Sequence, residues 1–108
     1  MAVKTYSERR QAALFRASRE LRKIAVDILD DVTEPAELTG RTPSWAKSVC
    51  RTTLELATEL EGRGHEETIA PARAETDLFQ SKREVELAID RFEARLREHG
   101  VDPRSIPA

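Results

Sequence analysis

The chain reads as an all-α protein, a three-helix bundle with two long amphipathic helices flanking a shorter one, completed by self-association. Three observations lead there. Ala, Glu, Arg and Leu dominate a chain of 108 residues that is 39% apolar and 35% charged, the composition of amphipathic helices. Apolar residues recur in steps of three and four along three separate runs. No run alternates β-branched or aromatic residues with polar ones, so no strand candidate survives. Aromatics are few (Tyr6, Phe15, Trp45, Phe79 and Phe92), which leaves the core to Leu, Ile, Val and Ala.

The first helix is predicted to start at "TYSE", with Thr5 as N-cap and Glu8 closing a capping box. Its stripe is Leu14, Ala17, Leu21, Ile24 and Ile28, widened by Phe15, Ala25, Leu29 and Val32. The opposite side carries Arg9, Arg16, Arg19 and Lys23. A second helix opens at Thr42 as N-cap with Pro43 at the first helical position. Ala46, Val49, Cys50, Thr53, Leu54, Ala57 and Leu60 follow at helical spacing, and "GRG" predicts a stop near Glu61.

The third helix is expected from about Pro71, with Leu78, Val85, Ile89, Phe92 and Leu96 as its stripe. It ends at "LREHGVDP", where Gly100 at C′, with Leu96 and Val101 as the apolar pair, forms a Schellman cap. Residues 1–102 make one domain, and 103–108 are set apart as a mobile C-terminal tail.

Helices of this length overhang a compact monomer, whose radius of gyration would be about 13 Å. Pairing with a second copy would cover their apolar ends, so a homodimer or a higher oligomer is expected. The seam for it is Leu14, Leu21, Ile24 and Ile28 with Val85, Ile89, Phe92 and Leu96.

Net charge is −2, with no global pull toward nucleic acid, yet charge is blocked along the chain. Residues 1–25 sum to +5, 26–40 to −5 and 41–51 to +3. No apolar targeting segment opens the chain and no window approaches the ~18 apolar residues of a membrane span, so a cytoplasmic location is expected. Glu8 and Glu20 interrupt the basic side of the first helix, which favours core packing over a membrane surface. Cys50 is the one cysteine and reads as a small half-buried hydrophobe.

Catalytic and metal chemistry find little footing. His65 and His99 lack the Glu-x-x-His spacing of helical metal sites, and His99 suits a helix C-terminus. No nucleophile elbow, P-loop or dinucleotide fingerprint occurs. No catalytic residue, cofactor or metal is therefore assigned, and the protein is expected not to be an enzyme.

One stretch carries a sharper alternative. Ala36, Gly40, Thr42, Ala46 and Val49 occupy the spacing of a bacterial helix-turn-helix, and "EPAELTGRTPSWAKSV" resembles that motif over about 16 residues. The resemblance implies a DNA-binding regulator in which Ser44, Trp45, Lys47, Ser48 and Arg51 face the groove or the phosphates. The chain departs from the motif at Arg41, where an apolar plug is usual, and at Pro35. Asp27, Asp30, Asp31, Glu34 and Glu37 also surround the site with charge that repels phosphate. A structural helix start explains the same residues: Gly40 allows the reversal, Thr42-Pro43 opens the helix and Trp45 covers the bundle end. The preferred expectation is a non-enzymatic adaptor, assembly factor or regulator. It would bind itself and an unidentified protein, using Arg9, Arg16, Arg19 and Lys23 or the mixed face around Arg91 and Arg95.

Overall fold

The computed structural model describes residues 6–67 and 72–107, without the side chains of 72–76. The order is α1 (Tyr6–Asp30), α2 (Pro35–Thr39), α3 (Thr42–Glu66), α4 (Ala72–Glu98) and a 3-10 turn (Pro103–Ser105). The fold is all-α, with no strand among the described residues. The expected cap at Thr5 and the start at Pro71 lie outside the described residues.

α1 is the central element and packs along both α3 and α4. It buries Gln11, Phe15, Ser18, Arg22, Ala25 and Leu29, a 4-3-4-3-4 stripe. Phe15, Ala25 and Leu29, expected at the margin of the apolar side, are its buried midline, turned by about 100° from Leu14, Ala17, Leu21, Ile24 and Ile28. Leu14, Leu21 and Ile28 flank it half-buried, and Ile24 is 48% exposed. The offset has a physical cause. A helix seated between two neighbours points its midline at both, and small residues such as Ser18 and Ala25 let those neighbours approach.

The middle helix does not stop near Glu61. α3 runs on through Gly62 and Gly64 to Glu66, and neither glycine takes a positive φ. Gly64 serves packing instead: a Cβ there would collide with the Phe15 ring, and Gln11 Nε2 donates to its carbonyl at 3.1 Å. Thr42 is already helical, so the start falls one residue earlier than expected, with Arg41 at the cap position. α4 ends as its sequence predicts. Gly100 has φ +75°, the Val101 N–H donates to Leu96 O at 2.9 Å and the Gly100 N–H to Arg97 O at 3.0 Å.

The core is uneven along its length. At one end Ala25, Leu29, Val32, Leu38, Ala46, Cys50, Ala88, Phe92 and Leu96 form an apolar cluster. Toward the other end Gln11, Ser18, Arg22, Glu61 and Ser81 are buried beside Phe15, Ala57, Leu78 and Val85. The molecule is a rod of 56 × 19 × 18 Å with a radius of gyration of 16.8 Å. Its length therefore exceeds that of a compact chain, as the helix lengths require. No helix among the described residues is long and apolar enough to cross a membrane.

Candidate functional site: an open groove between α3 and α4

α3 and α4 both lie on α1 but stay apart from each other. Among the described residues, no Cα of α3 comes within 8 Å of one of α4. Directly packed helices sit 8–10 Å axis to axis and bring backbones closer than this. α3 and α4 therefore flank α1 without packing backbone to backbone, and between them runs a groove of about 560 Å³.

Leu29 of α1 is the floor of this groove. Cys50 and Leu54 line one wall; Ile89, Phe92 and Leu96 line the other. Cys50 is 5% exposed, and burial pushes its thiol pKa up, so it behaves as an apolar wall residue rather than a thiolate. Lys47, Arg51 and Glu55 edge the α3 side and Glu93 the α4 side.

Both ends of the groove are defined by specific contacts. Beyond Thr58, Glu61 receives Arg22 Nη1 on Oε1 at 3.1 Å and Lys82 Nζ on Oε2 at 2.9 Å. Arg22 Nη1 also lies 3.4 Å from Ser81 Oγ, so one carboxylate ties α1, α3 and α4 together. Burial by itself would raise the Glu61 carboxyl. The Lys82 hydrogen bond and the charges of Arg22 and Lys82 outweigh it and hold the group below the usual carboxylate range.

At the other end stand Pro103 and the C-terminal turn. Residues 103–107, expected as a mobile end, are seated on α3 here. Pro103 is buried, Ser44 Oγ donates to Pro107 O at 2.8 Å, and Lys47 Nζ donates to Ile106 O at 2.9 Å and Pro103 O at 3.3 Å.

These contacts redistribute the residues singled out from sequence. Of the expected seam, Val85, Phe92 and Leu96 are buried in the protomer's own core, while Ile89 lines the groove. Arg91 makes a two-point contact with Asp30 at 3.2 and 3.0 Å, and that hydrogen bonding raises its pKa further. Arg95 donates to Leu29 O at 2.6 Å and Val32 O at 3.1 Å, closing the end of α1. Both arginines therefore hold α4 to α1, and Arg91 remains exposed while it does so.

Arg16, Arg19 and Lys23 line a shallow cleft with Asp77 and Glu84 of α4, and Arg9 lies exposed farther along the same helix. Of the five residues proposed to read DNA, Ser44 and Lys47 are engaged with C-terminal carbonyls and Arg51 edges the groove. Trp45 is exposed and Ser48 partly so.

Sequence reasoning missed Arg22, Glu61 and Lys82 as a unit. The signal was faint: Arg22 falls on the same three-four period as Phe15, Ala25 and Leu29. No family model matches the chain, and neither a curated protein nor a solved structure does.

Proposed function

We propose that this protein is a non-enzymatic, self-associating helical protein-interaction module, an adaptor or assembly factor whose groove between α3 and α4 receives helices from outside the protomer. The observation that carries this reading is the open groove between α3 and α4, where Leu54 and Ile89 stay half-buried above the buried Phe92 and Leu96. Apolar walls gain roughly 25 cal/mol for each Å² removed from water, so a helix laid along them stabilises both partners. DNA reading by residues 36–51 is the weaker alternative, because two of its five side chains already bind the C-terminal segment.

Sedimentation equilibrium tests the proposal directly. The wild-type chain should sediment as a dimer or larger at roughly ten micromolar, an ordinary affinity for an interface of this kind. Arg51→Ala/Glu55→Ala, which alters only exposed side chains on the groove edge, should weaken association with helicity unchanged. Leu54→Asp, at a half-buried side chain packed against the core cluster, should yield a monomer and is read only where circular dichroism shows its helices retained. A wild-type monomer across that range would overturn the self-association reading.

A further inference from the structure

Pro103 belongs to two structures at once. It is buried within the C-terminal 3-10 turn, and it lines the end of the groove where Lys47 edges α3. From α3, Lys47 and Ser44 hold the turn by donating to the carbonyls of Pro103, Ile106 and Pro107. Ile106 adds a half-buried side chain against the apolar cluster, while Arg104, Ser105 and Pro107 are exposed. Among the described residues no carboxylate pairs with Lys47, so its ammonium is held by uncharged oxygens.

The shape of the turn needs none of these ties. Asp102 accepts from the Arg104 N–H on Oδ1 and from the Ser105 N–H on its carbonyl, each at 3.0 Å, so the turn can leave α3 as a unit. Its seat also conflicts with a filled groove. The α3 lining runs from Lys47 to Thr58, about 16 Å of helix. A helix laid along all of it reaches Lys47, where the turn's carbonyls already sit. Only one of the two can hold that end.

We propose that residues 103–107 form a strap that closes the Lys47 end of the groove while the groove is empty and leaves α3 when a helix fills it. This rests on the reading of the groove as a helix-binding site and adds the regulation of that site: each tie from Ser44 or Lys47 to the strap opposes binding.

Cys50 is the chain's one cysteine and lines the groove one turn from Lys47, so its labelling by a small aromatic disulfide in dilute protein reports the strap. Ser44→Ala/Lys47→Met removes the ties on the α3 side, and Ile106→Ser loosens the strap from its own side. Each should speed labelling roughly fivefold or more, the factor that one ordinary hydrogen bond represents. Loss of a cation beside a thiol disfavours the thiolate, so faster labelling without Lys47 cannot come from charge. Circular dichroism checks that both variants keep their helices. Ile106 lies outside the groove lining, and Ile106→Ser should also associate at a concentration roughly fivefold lower than wild type, since less of it is held closed. Labelling that changes in neither variant, or in only one, overturns the strap. Association no tighter in Ile106→Ser overturns the exclusion between strap and helix. Chains that stay monomeric, wild type and variants alike, while labelling faster in both variants, overturn the helix-binding reading and leave the strap's closure of the groove standing.

Discussion

Glu61 concentrates the chemistry of the polar half of the core, where its carboxylate meets Arg22 at 3.1 Å and Lys82 at 2.9 Å. Arg22 is only 3% exposed, so removing its counter-charge leaves a buried guanidinium without compensation. Glu61→Gln should cost about 3 kcal/mol at neutral pH in urea unfolding, in line with breaking a buried pair. The pH dependence follows from the lowered Glu61 pKa. Its contribution is fully present above the unfolded-state pKa and is lost as pH falls through the folded one. The gap between wild type and Glu61→Gln should therefore narrow below the ordinary glutamate range, and a gap unchanged into strong acid would refute the assignment. Little of this is legible in the sequence beyond the place of Arg22 on the buried period. Arg22 and Glu61 are 39 residues apart, and a charged residue on a helical period reads as surface until a partner is placed opposite it.

At the scale of elements, the two glycines of α3 separate local propensity from packing. Both were read as helix terminators, and both lie within the helix. A Cβ at Gly62 meets nothing within 4 Å, so Gly62→Ala should stabilise by about 0.5–1 kcal/mol through helix propensity and unfolded-chain entropy. At Gly64 the same change drives a methyl into the Phe15 ring. Overpacking there outweighs the propensity gain, and Gly64→Ala should destabilise by about 1–3 kcal/mol. Thermal melts of the pair check this: equal shifts in the same direction would mean that Phe15 yields freely. By contrast, the end of α4 was legible in full. Gly100, Leu96 and Val101 make a cap from residues within one turn, and such local chemistry needs no tertiary information.

For the whole molecule, the arrangement of three rods matters more than any single contact. α1 lies between α3 and α4, and its inward face carries Ser18, Arg22 and Ala25 where the expected midline would place Ala17, Leu21 and Ile24. The two outer helices are set by their separate seats on α1, and the groove is what remains between them. The same arrangement bears on DNA. With the C-terminal turn bound to Ser44 and Lys47, a labelled mixed-sequence duplex titrated at low salt should show flat anisotropy to roughly tens of micromolar. Binding in that range that falls steeply with added salt would revive the helix-turn-helix reading.

Periodicity, capping residues and the absence of strand patterns are properties of neighbouring residues, and from them follow two long helices with a shorter one between them, the sharp stop at Gly100 and an all-α fold. Which face of α1 turns inward, whether α3 continues through its glycines, where the last residues lie and whether α3 meets α4 depend on contacts between residues tens of positions apart. Those contacts are decided by side-chain volume and charge at the meeting of helices. Phe15 against Gly64, Arg22 with Lys82 on Glu61, and Lys47 on the C-terminal carbonyls exist only once the helices are packed.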